Sequence, residues 1–233
     1  MYSLPICGLN KTTLLDYPEK VAATVFLGGC NFRCPFCHNG GLVLSPKNYI
    51  SHTTEEILSF LKKRQSVLSG VCITGGEPTL YEALPNFIHE IKQLGYAVKL
   101  DTNGSNPGLL SLLIRENLLD YIAMDIKSDL DHYEDVCGVP TDTTKISESV
   151  AIIRNSGLMY EFRTTVIKEF HSVNTFDAIC EWLDGSKNYF LQNYKESAQV
   201  LNPIFSAYSK EELMVFLEIC RPHFENCCLR GID

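Results

Sequence analysis

The sequence predicts an α/β protein built as an incomplete (β/α)6 TIM-like barrel. Short β-branched or apolar runs alternate with segments of helical periodicity, the pattern of βα units around a parallel sheet. Six such units follow an N-terminal arm of about 20 residues. The 233 residues suit one α/β domain spanning 1–233, whereas eight units closing a full barrel take about 250 residues. A splayed, partly open barrel is therefore expected.

Taken in order, Val21–Leu27 is a continuous apolar run suited to a buried parallel strand. A helical pattern runs from Thr54 to about Leu68, and Val71–Thr74 is a short β-branched strand. Leu84, Phe87, Ile88, Ile91 and Leu94 form a helical stripe within Ala83–Leu94. Ala97–Leu100 and Tyr121–Ile126 read as strands on either side of a helix over Gly108–Asn117. A helix is expected over Ile146–Asn155 with Ser147 as its cap, then a strand over Phe162–Ile167. Thr175–Leu183 is helical, Tyr189–Gln192 is a strand, and Lys210–Phe224 closes the chain as a helix.

Composition narrows the function classes. Hydrophobic residues make up 45%, ordinary for a globular chain. The formal net charge of −8 argues against a broad nucleic-acid surface, which needs clustered Lys and Arg. No apolar run approaches a membrane span. Met1–Pro5 carries neither a basic n-region nor an apolar h-region, so no secretion signal is expected. Ten cysteines invite comparison with disulfide scaffolds, but those are mainly small secreted domains. Cys72, Cys180 and Cys220 fall in apolar or periodic segments and are expected in the core, while Cys7, Cys137, Cys227 and Cys228 have no assigned role. These features suit a cytoplasmic protein of a reducing, anaerobic cell.

The most informative segment is Gly28-Gly29-Cys30-Asn31-Phe32-Arg33-Cys34-Pro35-Phe36-Cys37-His38-Asn39. Iron–sulfur clusters are normally held by four thiolates. A compact C-x3-C-x2-C triad without a near fourth Cys suits a 4Fe–4S cube with one iron open to a small molecule. A zinc site is the competing reading. It needs a fourth ligand, and the adjacent Cys227-Cys228 pair suits one tetrahedral ion poorly.

Functional side chains of parallel α/β sheets gather at the C-terminal ends of strands, and the remaining polar motifs fall there. Thr74-Gly75-Gly76-Glu77-Pro78 follows the second strand; its glycines allow close backbone approach, and Glu77 offers a carboxylate to an ammonium group. Asp101-Thr102-Asn103-Gly104 follows the third strand and also reads as a plain turn. Asp125-Ile126-Lys127 ends the fourth, with Lys127 suited to a carboxylate. Arg163 interrupts an apolar strand, where a charge is more often functional or paired than idle. His52, His89, His132, His171 and His223 show no ligand spacing and are expected mostly at the surface.

With this Cys spacing and Phe36 before the third Cys, the chain resembles the radical SAM enzymes. His38-Asn39 narrows the likeness to activases of glycyl-radical enzymes. The segment from Gly8 to Val21 is similar to the N-terminal arm of anaerobic ribonucleoside-triphosphate reductase activating proteins. That family usually shows Gly after Pro18; Glu19 stands here, which leaves the form of that turn open.

The resemblance implies a 4Fe–4S cluster on Cys30, Cys34 and Cys37 and S-adenosyl-L-methionine (SAM) chelated at the open iron. It also implies that Gly75, Gly76, Glu77, Asp101, Thr102, Lys127 and Arg163 hold SAM, with Phe36 and Asn39 against its adenine. Asp125 is implied to line a monovalent-cation site. The match at Gln192-Asn193-Tyr194, toward the ribose, is loose. Asp16 is expected to face a protein substrate. The implied reaction is reductive SAM cleavage, with an electron from a flavodoxin- or ferredoxin-like protein, and radical formation on a partner enzyme. Anaerobic (class III) ribonucleotide reductase is the first choice of partner. The alternatives are an activase of the pyruvate formate-lyase type, a radical SAM enzyme with a small-molecule substrate, and a non-enzymatic electron carrier or zinc module.

Overall fold

The computed structural model describes residues 3–196, 200–202 and 204–232. Eight strands form one sheet in chain order. They are β1 (Ile6–Thr13), β2 (Ala22–Leu27), β3 (Gly70–Gly75), β4 (Ala97–Thr102), β5 (Tyr121–Asp125), β6 (Met159–Val166), β7 (Ser186–Asn193) and β8 (Phe224–Arg230). β1 pairs antiparallel with β2, and every later pairing is parallel. The sheet ends at β1 and β8, so the barrel is open as the unit count predicts.

The helices are α1 (Gly40–Leu44), α2 (Thr54–Lys63), α3 (Leu84–Gln93), α4 (Pro107–Arg115), α5 (Tyr133–Cys137), α6 (Thr143–Arg154), α7 (Val173–Leu183) and α8 (Lys210–Cys220). They cover one face of the sheet. Ala23, Val25, Leu27, Val71, Ile73, Val98, Leu100, Ile122 and Met124 share the main core with Phe87 and Ile88 of α3 and with Phe176 and Ile179 of α7. Strand side chains alternate between faces, and the alternate set is polar. Lys99 lies 3.9 Å from the Cys72 sulfur, and the Tyr121 hydroxyl donates to Glu161 at 2.9 Å. Arg230 grips Glu161 through two bonds of 2.9 and 2.8 Å.

Several boundaries differ from expectation. The arm is not featureless: Ile6–Thr13 is a full edge strand. The expected closing helix stops at Cys220, a 3-10 turn over Arg221–His223 follows, and Phe224–Arg230 becomes a further parallel strand. Pro222 favours such a break. The helix expected to start near Ile146 starts at Thr143, capped by the Asp142 side chain rather than by Ser147. α2 ends at Lys63, five residues before the expected Leu68.

Glu19 has a φ of 62°, the left-handed conformation that glycine adopts without penalty. The turn thus keeps a glycine-like form with a side chain in place. A left-handed L-residue costs about 1–2 kcal/mol, and a new glycine costs about 0.4–1 kcal/mol in unfolded-chain entropy. Glu19→Gly should therefore raise the free energy of unfolding by a few tenths to about 1 kcal/mol in urea denaturation.

Candidate functional site

The C-terminal ends of the parallel strands surround a cavity of about 250 Å³. The loop after β2 supplies one wall. Cys30, Cys34 and Cys37 all line it, and no other Cys does so among the described residues. Burial pushes the Cys30 thiol up to about 12 and also raises Cys37. Cys34 goes the other way, down to about 7, because the Cys137 S–H donates to it and Lys127 stands near. Cys137 sits at the end of α5, and its carbonyl accepts from Arg33 N–H at 2.8 Å, which docks that helix on the loop.

Among the described residues no three Cys, His, Asp or Glu side chains are set to hold a single metal ion. Cys227 is not a fourth ligand: its partner is Cys220, packed with Cys180 in the outer core.

The Gly75-Gly76 turn lies directly on the cysteine loop. Gly76 N–H donates to Leu27 O at 2.7 Å, and Glu77 N–H donates to Gly29 O at 2.8 Å. A Cβ on Gly76 would stand 1.8 Å from Gly29 O, so the approach requires glycine. Asn39 ties the other side, its amide donating to Gly75 O at 2.8 Å. Phe36 lines the cavity and packs its ring 6.1 Å from that of Phe170. His38 lines it as well, with Nε2 2.6 Å from Lys195 O.

Glu77 departs from its expected place. It is fully buried and does not reach the cavity. Its Oε1 accepts from Thr79 N–H at 3.0 Å, Thr79 Oγ1 at 2.5 Å and Thr102 Oγ1 at 2.8 Å. Its Oε2 accepts from Asn103 N–H at 2.6 Å. Burial raises its carboxyl, and these four donors pull against that rise. Glu77 is thus a brace between the loops after β3 and β4 rather than a group facing a ligand. Asp16 is displaced too. It bonds Thr24 Oγ1, inside β2, while Tyr17 beside it packs on Ala22 and Tyr121 at the opposite end of the barrel from the cysteines.

Asp101, Thr102, Asp125, Lys127 and Arg163 all line the cavity, as their strand-end positions predict. Arg163 bridges the two aspartates, 3.3 Å from Asp101 and 2.8 Å from Asp125. Lys127 reaches Asp125 at 3.1 Å, and Lys99 pairs with Asp101 from below. Burial alone would raise both aspartates, but Arg163, helped by Lys99 at Asp101 and Lys127 at Asp125, holds them below the usual carboxylate range. Burial likewise opposes the charge on Lys127, and Asp125 then Cys34 overcome it. Two cations, Lys127 and Arg163, and two carboxylates, Asp101 and Asp125, thus line the cavity, a balanced set that suits a zwitterionic ligand.

Lys99 was legible by the argument that singles out Arg163, a charge inside an apolar strand. Thr165, Gln192 and Asn103 also line the cavity. His171 carried no sequence signal and is not at the surface. It is 1% exposed, Nδ1 accepts from Ile167 N–H at 3.1 Å, and Nε2 donates to Lys127 O at 2.8 Å. Nδ1 can accept only in the neutral imidazole, and burial lowers its pKa.

A lowered folded-state pKa means stability present above the unfolded value of 6.5 and lost as pH falls through the folded one. The free energy of unfolding should drop below pH 6.5 more steeply in the native chain than in His171→Gln. The extra slope should approach about 1.4 kcal/mol per pH unit, the value for one proton taken up on unfolding. Superimposable profiles would remove His171 as the titrating group. Glu77→Gln offers one oxygen where two accept, and should cost about 1–3 kcal/mol in denaturant unfolding. An unchanged midpoint would show that the brace is dispensable.

Comparison with known proteins bears on this cavity. The sequence signature of the radical SAM superfamily matches residues 24–183. A protein of Methanocaldococcus jannaschii named for glycyl-radical enzyme activation is 29% identical over 239 residues, covering 98% of this chain and 96% of its own. The 7-carboxy-7-deazaguanine synthase of Haemophilus influenzae is 29% identical over 170 residues, 70% of this chain and 68% of its own. Among solved structures, a domain of pyruvate-formate lyase-activating enzyme from Bacteroides vulgatus shares the fold with a TM-score of 0.57 at 19% identity, covering 70% of this chain and 99% of that one. The superfamily match spans more than half the sequence and contains the cysteine triad and every motif that lines the cavity before Leu183, so this chain belongs to the radical SAM superfamily.

Proposed function

We propose that the chain is an activase that uses a 4Fe–4S cluster and SAM to place a glycyl radical on a partner enzyme. The observation that carries the reading is the convergence of Cys30, Cys34 and Cys37 with Asp101, Asp125, Lys127 and Arg163 on one cavity. The near full-length match to the M. jannaschii relative supports a protein substrate over a small molecule. Superfamily membership implies both cofactors, and the donor set fits them: three thiols on one wall, charged groups complementary to a zwitterionic amino acid on the other. When bound, the cluster and SAM supply a one-electron cleavage that yields methionine and a 5′-deoxyadenosyl radical able to take hydrogen from a glycine Cα.

The side chains of this chain position and shield. Lys127 would hold the methionyl carboxylate, and Asp101, oriented by Lys99 and Arg163, would receive the amino group. Phe36, Asn39, Gly75, Gly76 and Thr102 would line the nucleoside and methionyl faces. A monovalent cation at Asp125 would compete with Lys127 and Arg163, both already paired there, and the proposed site omits it. The open sheet edge suits entry of an extended, glycine-bearing loop. The likeness of the N-terminal arm favours an anaerobic ribonucleotide reductase as partner, a flavodoxin- or ferredoxin-like protein as electron donor, and the cytoplasm of an anaerobic cell as the setting. Among the described residues no helix is long and apolar enough to cross a membrane.

A second reading has its own support. The H. influenzae relative is named for making a deazaguanine, so a small-molecule substrate is the alternative. One experiment separates the two. The anaerobically reconstituted chain, mixed with reductant, SAM and a candidate anaerobic reductase, should produce a glycyl doublet in electron paramagnetic resonance (EPR), with one SAM consumed per radical. Cys30→Ala, Cys34→Ala and Cys37→Ala should each abolish cluster and signal, whereas Cys227→Ala and Cys228→Ala should keep both. Turnover of a purine- or pterin-like compound, with no partner giving a doublet, would overturn the activase reading and leave the superfamily assignment intact.

A further inference from the structure

The Cys30 sulfur has two amide donors. Phe32 N–H reaches it at 3.3 Å, a bond internal to the cysteine loop. The second donor is the side chain of Asn103, whose Nδ2 stands 3.8 Å away, within reach of a large sulfur acceptor. Asn103 belongs to the end of β4, which presents Asp101 and Thr102 to the same cavity.

The orientation of the Asn103 amide is determined by its neighbours. Oδ1 accepts from Ser105 N–H at 2.9 Å, so the NH2 group must face the other way. There it finds Asn31 Oδ1 at 3.0 Å and the Cys30 sulfur. The backbone N–H of the same residue is held by Glu77, and the side chain is 6% exposed. The other asparagine amides of the region point elsewhere: Asn31 Nδ2 to Ser105 Oγ at 2.9 Å, Asn39 Nδ2 to Gly75 O. Asn103 is thus the asparagine side chain whose N–H is directed at a ligand thiol, on a support that water does not loosen.

We propose that Asn103 is a positioning residue for the cluster: its amide donates an N–H···S bond to the Cys30 thiolate and raises the cluster's reduction potential. Hydrogen bonds to the sulfurs are among the determinants of that potential. A donor stabilises the more negative, reduced state more than the oxidised one. The inference rests on the cluster assignment, and is independent of whether the substrate is a protein or a small molecule.

The test is an EPR-monitored redox titration of the reconstituted chain beside Asn103→Asp and Asn103→Ala. Asn103→Asp keeps the size and the acceptor for Ser105 but removes the donor and adds a negative charge. Asn103→Ala removes the donor without adding charge, so its midpoint is the deciding one. At the native midpoint, each variant should show a reduced-to-oxidised ratio about tenfold lower, equivalent to about 59 mV for one electron, with iron and sulfide per chain unchanged. Midpoints equal to that of the native chain, with iron retained, would overturn the role of Asn103. Should both variants lose iron, pulsed EPR on the native chain carrying side-chain 15N-asparagine decides: a resolved 15N coupling supports the bond, and its absence overturns it. A native chain that takes up no iron and sulfide would overturn the cluster assignment itself, and this inference with it.

Discussion

The site depends on one buried carboxylate. Glu77 sits beneath the cavity with every oxygen engaged, and its four donors come from two separate loops. A carboxyl group out of water is costly unless its oxygens are taken up by hydrogen bonds, so those loops are held to the geometry that satisfies it. On one side the constraint keeps Gly76 in backbone contact with Gly29, and hence the turn after β3 against the cysteine loop. On the other it fixes the peptide of Asn103, whose side chain extends to Cys30. Three strand ends are thereby locked to one another without any of them needing a ligand to do it.

The interior of the sheet is organised by charge. Lys99, Asp101, Arg163, Asp125 and Lys127 alternate in sign from the depth of the barrel to its rim, and Glu161 with Arg230 continues the series toward the other end. Buried ion pairs are weak sources of net stability, since desolvation consumes most of the attraction. Their value here is positional. Arg163, 13% exposed, has carboxylates on two sides, and a guanidinium between two fixed anions has little freedom to move. Asp101 and Asp125 are ionised and oriented before any ligand arrives, the condition for a polar site to bind without reorganising. His171 extends the same logic to the backbone by holding the carbonyl of Lys127.

The outer layer follows simpler rules. Apolar residues on the helix-facing side of each strand meet the apolar stripes of the helices, and cysteines serve there as small core residues. Cys137, Cys180 and Cys220 are fully buried there, Cys72 is fully buried on the inner face beside Lys99, and all ten thiols are free. The separation of an apolar outer core from a polar inner face lets one sheet support a charged cavity and a stable hydrophobic layer together.

Much of this was legible in the sequence. The alternation of strand and helix, the openness of the sheet and the gathering of Cys30, Cys34, Cys37, Asp101, Asp125, Lys127 and Arg163 follow from local periodicity and from the rule that motifs at strand ends share one rim. Such signals are carried by neighbours in the chain, and a single sequence displays them. The strands at the two edges were harder to read. Ile6–Thr13 is half polar, as an edge can be, and Phe224–Arg230 follows a helix so closely that periodicity merges them. What no local pattern could decide is which way a polar group faces. Glu77 reads as a ligand-binding carboxylate beside two glycines, yet its partners lie 2, 25 and 26 residues away and turn it inward. His171 reads as a surface residue until Lys127, 44 positions earlier, is placed against it. Asn103 reads as a turn until Cys30 appears within its reach across 73 positions. The sequence by itself determined which residue types reach the rim; only the tertiary structure decided which of them face the cavity and which brace it, because the hydrogen-bond partners that settle orientation are brought together by the sheet and not by the chain.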